Sequence, residues 1–271
     1  MKRLILTFLI LINLFQHSFC QFSKNLSFTF GEKLEYEVYY NLGPIWIKAG
    51  FFNFLVKNGT YQGKTVYHFD SNGRSLPSYD WFYKVRDRFQ AFIDTTTLKP
   101  LWAERSSYDG GFEVYENYVF DYQNKKVDFI VRTSDKPLQH DSRAINGDVL
   151  DILSATYYVR NLDFSGFQIN EKIPVYMLLG GGIYPLFVRY LGKETIVTQN
   201  KLKYNCLKFS CLLIAGTIFK GGEDMHVWVS DDKNHVPIMV QAKILVGSVK
   251  ASLINAENLK NPFSSKIKPE K

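Results

Sequence analysis

The residues best equipped for chemistry crowd most densely in MHVWVSDDKNHVPIMV, residues 225–240. There His226, Asp231, Asp232 and His235 fall within ten positions. Imidazoles and carboxylates at that density are the donor set of a metal centre or an acid–base pair. Their spacing argues for something plainer. Met225, Val227 and Val229 alternate with His226, Trp228 and Ser230, SDDKN supplies turn formers, and Ile238, Val240, Ala242, Ile244 and Val246 alternate on the return. Short Asp and Asn side chains bond local backbone and favour such a turn. At 3.3 Å per residue His226 would lie roughly 17 Å from Asp231. Only Asp231, Asp232 and His235 would then cluster, at a solvated tip, where zinc would still lack its full ligand set and supporting shell. The stretch predicts a hairpin, with no metal and no cofactor.

Asp87 is the more unusual acid. In YKVRDRFQAFID, Val85, Asp87, Phe89, Ala91 and Ile93 share one strand face, which turns this carboxylate inward. A desolvated lone charge is costly, so it must be paired or protonated. Arg86 and Arg88 stand on the opposite face, which leaves Arg160, or Arg189 in FVRYLGKE, as the partner. Such a pair is expected to be structural, fixing helix to sheet. The alternative, a tuned acid in a pocket, calls for a second group that the sequence does not point to. His68 and Asp70 share a face in VYHFDSN like a base and its orienting acid, yet no nucleophile accompanies them. They read as surface polar residues. LLGGGIY and FKGGED match neither a dinucleotide fingerprint nor a phosphate loop. G-x-S-x-G and H-E-x-x-H are absent, so no catalytic residue is assigned.

The elements that must position these residues follow a period of two. KLEYEVYY, VDFIVRT and GSVKASLIN alternate apolar with polar, the pattern of antiparallel sheet with one buried face. WIKAGFFNFLV, IPVYMLL and YPLFVRYL are apolar on both faces and read as strands covered on both sides. KNGTYQGK, DTTTLKP, YDGGF and YQNKK place turns at short intervals, which predicts a meander rather than βαβ units. One helix is expected near 148–161, with Asp148 as N-cap, Asp151 three positions on, and Val149, Ile152, Leu153, Thr156, Val159 and Arg160 on its apolar stripe. A short helical turn is expected at SYDWFYK, residues 78–84. The fold class is mainly β: an antiparallel meander forming an open or partly closed barrel or curved sheet, with one packed α-helix. A sheet curved under a helix would enclose an apolar cavity.

Residues 1–20 read as a secretory signal peptide. A basic Lys2-Arg3 start precedes the 12-residue apolar run Leu4–Phe15, and Ser18-Phe19-Cys20 places small residues for cleavage before Gln21. The run is shorter than the roughly 20 residues of a membrane-spanning helix, so no transmembrane segment is expected in the mature chain. Lipid attachment at Cys20 is the alternative, disfavoured by the bulky Phe19. Losing Lys2 and Arg3 leaves 31 basic against 26 acidic residues, a net +5. That modest excess, on an exported chain without interleaved basic and aromatic residues, excludes nucleic acid as a partner. Residues 21–258 form a single β-rich domain of two sheet halves joined around the helix, and 259–271 read as a disordered basic tail. Cys206 and Cys211, five strand positions and about 16 Å apart, are too far for a disulfide and read as buried apolar residues.

GEKLEYEVYYNLGPIWIKAG, FYKVRDRFQAFID, GDVLDILSATYYVRNLDF, VRYLGKETI and GEDMHVWVSDDKNHVPIMVQAKILVGSVKASL occur in that order. Together they resemble the bacterial exported family catalogued as domain of unknown function 3108, over about residues 29–256. The resemblance implies a β-rich fold and the envelope of a Gram-negative-type bacterium, in the periplasm or associated with the outer membrane, and no mechanism. Its recurring charged positions would be Asp87, Asp148, Arg160, Arg189, Glu194 and Asp232. The leading expectation is therefore a binding or carrier protein for an amphiphilic or lipid-like envelope component. A structural or assembly factor holding an envelope protein is the alternative, and a hydrolase with an unfamiliar site comes last.

Overall fold

The computed structural model describes residues 26–42, 45–214 and 221–268. The signal sequence expected at residues 1–20, with Cys20, lies outside them. Strands follow one another by hairpins: β1 (Lys33–Leu42), β2 (Ile45–Tyr61), β3 (Lys64–Ser75), β4 (Val85–Asp94), β5 (Pro100–Asp109), β6 (Phe112–Asp121), β7 (Lys126–Thr133) and β8 (Lys136–Ala144). After the short β9 (Val149–Leu150) comes the helix α1 (Ile152–Arg160). A second meander follows: β10 (Lys172–Leu179), β11 (Gly182–Val197), β12 (Lys203–Leu213), β13 (Gly222–Ser230), β14 (Pro237–Lys243) and β15 (Ser248–Glu257). The two meanders join where β1 pairs antiparallel with β15, giving one sheet that runs from β8 through β1 and β15 to β9.

Among the described residues the protein is mostly β with one α-helix, and its sheet curves without closing. Alternation sets the inner face: Val114, Tyr118 and Phe120 of β6 and Val127, Phe129 and Val131 of β7 are buried there. Extra residues at Val38/Tyr39 and Tyr190/Gly192 bend the long strands. The gap between the sheet's ends is bridged by single contacts from the β10–β11 hairpin. The Gly180 amide donates to Glu116 (3.1 Å) and Arg143 Nε to the Gly181 carbonyl (3.1 Å). Gly181 has φ +74°, and a Cβ there would lie 2.5 Å from the Phe129 ring, so the close approach requires glycine. Among the described residues no helix is long and apolar enough to cross a membrane.

The helix starts later than its sequence implies. Asp148 is not the N-cap: Val149 and Leu150 pair in parallel with Tyr176 and Met177 of β10, and Asp148 instead binds Lys99 (2.7 Å). Backbone pairing takes the residues that local spacing assigned to the first turn. The cap is Asp151, which accepts from the Leu153 and Ser154 amides at 2.9 and 3.2 Å. The buried face is accordingly Leu153, Ser154, Ala155, Tyr157 and Arg160, not the stripe through Thr156 and Val159. Phe28 meets Phe69 and Tyr157 edge-on at 5.4 and 5.0 Å, and Phe69 stacks on Tyr157 at 3.8 Å. Between 78 and 84 the structure has a 3-10 turn, Pro77–Tyr79, followed by irregular turn.

The tail is not disordered from 259. Lys266–Ile267 form β16 and pair with Tyr204 and Lys203 of β12, while Leu259 and Phe263 cover the cluster of Tyr204, Cys206 and Trp228. Charge composition suggested fraying, but the tail's few apolar side chains close an otherwise bare outer face. Loops 62–63, 95–99, 198–202 and 231–236 lie at the same end as the helix C-terminus and this tail, the helix end. Loops 76–84, 110–111, 180–181 and 244–247 form the opposite end, the rim.

Candidate functional site

The three charged residues that inward periodicity singled out do not meet. Arg160 makes a bidentate pair with Glu32 (Nη1–Oε1 2.7 Å, Nη2–Oε2 2.9 Å), both nearly fully buried. It also donates to the Asn234 carbonyl (3.1 Å) and lies over the Tyr157 ring at 5.0 Å. Arg189 pairs with Glu223, which it pulls down to about 2. Asp87 therefore has neither expected partner. It stands toward the rim, with Oδ1 buried and unbonded. Burial first, then the Asp109 carboxylate, pushes its pKa up to about 6, against a pull from Ser107 and Arg105. The helix-to-sheet ion pair exists, but Glu32, just ahead of β1, supplies its acid.

The hairpin at 225–240 forms as expected, though its tip is packed rather than solvated. Asp231 pairs with Lys193 (2.8 Å). Asp232 accepts from the Asn234 and Ser265 amides at 3.0 and 3.1 Å, which ties the tip to the tail. His235 Nδ1 lies 2.7 Å from the Arg160 carbonyl and packs edge-on against Phe164. Burial lowers its pKa, so the neutral ring donates that bond. Among the described residues no group of three His, Cys, Asp or Glu converges on a metal-sized site. His68 bonds Gln90 (3.2 Å), whereas Asp70 pairs with Lys57 (2.5 Å) rather than with His68. Glu194 holds Lys208 (2.8 Å) and the Trp228 indole N–H (3.0 Å). Cys206 and Cys211 are free thiols.

The inner face is covered unevenly. The cavity expected beneath the helix is filled at the helix end by the Phe28, Phe69 and Tyr157 rings. Further along the inner face, register aligns Val38, Ala251, Val240, Val227 and Phe209 across adjacent strands. Phe209 is fully buried, but Val38, Ala251, Val240 and Val227 are only half-buried. Val188 and Met177 continue this apolar surface, and Tyr158 and Val159 of α1 pack on it from above. A packed core would bury such a row completely. The row is therefore an apolar stretch of the inner face that is only partly covered.

The outer face behind the same rim carries cations and rings. A groove of about 730 Å³ there is lined by Phe51, Arg74, Arg86 and Arg88, and reaches Phe52 and Asp87 between the strands. Arg74 and Arg86 are directly opposed on β3 and β4, a pairing of like charges that costs stability unless it is neutralised. Arg86 is neutralised by Asp80 and bonds Ser75 (3.1 Å). Among the described residues no carboxylate pairs with Arg74, which lies 6.0 Å from the Phe51 centroid. Gly73 sits between Phe52 and Asp87 on the inner side, where a Cβ would lie 2.9 Å from the Phe52 ring. Nothing in SNGRS itself singles out Arg74. Only the pairing of β3 with β4 across a nine-residue connection sets it against Arg86.

Comparison with known proteins adds fold and family. The family described as protein of unknown function (DUF3108) matches residues 35–254. A solved structure described as a beta-barrel-like protein of domain of unknown function DUF1849, from Brucella abortus, superposes with a TM-score of 0.54 at 8% identity. The match covers 86% of this chain and 100% of that one, and shows a shared fold. No curated protein matches.

Proposed function

The chain belongs to the family of proteins of unknown function DUF3108, and from its site we propose a non-catalytic envelope protein that binds an amphiphile. The acyl part would lie on the half-buried inner row near the rim. The observation that supports this reading is the apolar row Val38–Ala251–Val240–Val227, left only half-buried on the inner face. Binding sites for small amphiphiles are concave and mostly apolar, with a few polar groups near the mouth. Asp87, Asp109 and Tyr83 are among the polar groups on that side of the rim. The envelope location rests on the reading of residues 1–20 as a signal peptide.

A sheet edge as a docking strand for a protein is the weaker reading. All nine residues of the edge strand β8 are exposed, but Lys136, Pro137, His140, Asp141 and Arg143 are the residue types that discourage edge pairing.

Two measurements test the amphiphile. An organic extract of the purified protein, analysed by mass spectrometry, should contain an acyl-bearing molecule. Displacement of a fluorescent fatty acid by oleate should be saturable, and Val240→Phe, which fills the row, should weaken oleate at least tenfold while leaving the melting temperature near that of the parent. An empty extract together with no saturable oleate binding would overturn the reading.

A further inference from the structure

At the rim, apolar side chains project where a folded protein usually places polar ones. Trp81 is 83% exposed, Phe82 75%, Val246 73%, Ile45 62% and Leu245 52%. They sit on the connections β3–β4, β14–β15 and the start of β2. Strand order places these connections side by side, because β14, β15, β1, β2, β3 and β4 are consecutive neighbours in the sheet. With strands about 4.8 Å apart, adjacent tips are about 10 Å from one another. Local contacts fix them there: the Leu76 amide donates to the Ala49 carbonyl (2.8 Å), and the Tyr40 hydroxyl to the Val246 carbonyl (3.2 Å).

Immediately behind the tips, outer-face cations lie over aromatic rings. Lys250 Nζ is 4.1 Å from the Trp46 centroid, and Lys84 Nζ 5.6 Å from that of Tyr108. With Arg74 over Phe51, they make a row of rings capped by positive charge. The neighbouring carboxylates are already neutralised: Glu37 by Lys48, Asp80 by Arg86 and Asp224 by Lys243. Among the described residues Arg74, Lys84 and Lys250 pair with no carboxylate, so the surplus charge behind the tips is positive. Asp87 and Asp109 face inward.

We propose that this rim docks on an anionic lipid bilayer, Ile45, Trp81, Phe82, Leu245 and Val246 entering the headgroup layer while Arg74, Lys84 and Lys250 meet lipid phosphates. Separate protruding tips suit a deformable phase. A protein partner would need a continuous complementary surface of roughly 800 Å² per side. Rings with long cationic side chains alongside are the composition of a membrane interface, where the stem stays apolar and the head reaches phosphate. Juxtamembrane Lys and Arg are drawn to anionic membranes. This inference goes beyond the inner pocket and does not depend on it.

The test is sedimentation with vesicles of phosphatidylcholine alone and of phosphatidylcholine with phosphatidylglycerol. It uses the chain from Gln21 onward, which holds every residue of the described fold. Binding to the mixed vesicles should exceed binding to phosphatidylcholine and weaken with salt. Trp81→Ser with Phe82→Ser, and separately Leu245→Ser with Val246→Ser, should each lower partitioning at least tenfold. Arg74→Glu with Lys84→Glu should abolish the preference for phosphatidylglycerol. Unchanged melting temperatures would show that all three variants fold. Absence of sedimentation at low salt, or tip variants that partition like the parent, would overturn the proposal. Oleate displacement measured without vesicles should be unaffected by the tip changes, so failure of docking and failure of the inner pocket are read separately.

Discussion

Two arginines show how differently the ends of the molecule are built. Arg160, at the helix end, directs its guanidinium at Glu32, the Asn234 carbonyl and the Tyr157 ring, out of reach of water. Arg74, at the rim, stands opposite another arginine, leans on one ring and pairs with no carboxylate among the described residues. The same side chain holds three chain segments together in one place and stays available in the other. Paired and buried charge points to architecture, whereas unpaired charge beside exposed rings and a half-open apolar row points to binding. The functional reading depends on that contrast, so it should be tested where the contrast is strongest.

The largest effect is expected at the helix end. Arg160→Met leaves Glu32 buried without its partner, and breaking a buried pair on one side costs about 3–5 kcal/mol. Adding Glu32→Met should recover much of the loss, because an apolar pair of similar volume removes the stranded charge. Arg74→Met should change stability by less than about 0.5 kcal/mol, as surface substitutions do. Urea unfolding measures all three. If Arg160→Met proves as mild as Arg74→Met, the two ends are not built on different principles.

Asp87 gives the next effect, with opposite sign. Its folded pKa is raised to about 6 by burial, so the native state holds a proton that the unfolded chain releases near its ordinary carboxylate value. Stability from this group is complete below that ordinary value and is lost as pH rises through about 6. Asp87→Asn removes the ionisation and should stabilise the protein at pH 7 by about 2 kcal/mol. The gain should fade toward pH 4. A constant gain across that range would mean that shape, not charge, sets the cost, and Asp87 would lose its place as a strained polar group near the pocket mouth.

Much of this architecture was legible in the residues. Period-two alternation located the strands, as with Val127, Phe129 and Val131, because one buried face imposes that spacing directly. The inward turn of Asp87 was legible for the same reason. Its partner was not. Alternation gives a face but not which strand lies opposite, and Glu32 pairs with Arg160 across 128 positions of sequence. The tail misled because four lysines outweighed Phe263 and Ile267 in composition, although burial is decided by single apolar side chains finding a bare surface. The partial exposure of the inner row was invisible for a further reason. Whether Val240 and Val227 are covered depends on what stands above the sheet, and a strand's own pattern is silent about that.

The smallest effect separates two aspartates three residues apart. Asp148 and Asp151 both precede the helix, and sequence favoured the first as cap. In the fold Asp151 accepts two helix amides, and Asp148 makes only a salt bridge to Lys99 with both partners substantially exposed. Asp151→Ala should therefore cost about 1 kcal/mol and Asp148→Ala nearly nothing. Asp151→Asn retains the side-chain acceptor and should cost less than alanine. Burial, outweighing the bonds from Ser154 and Leu153, raises Asp151 to about 6. The aspartate's contribution therefore falls as pH rises through that value, and asparagine should gain on it over the same interval. Thermal unfolding of the three variants at pH 5 and pH 8 measures this. Equal losses for Asp148→Ala and Asp151→Ala would mean the helix begins where the sequence pattern first placed it, and β9 would have to give up its pairing with β10.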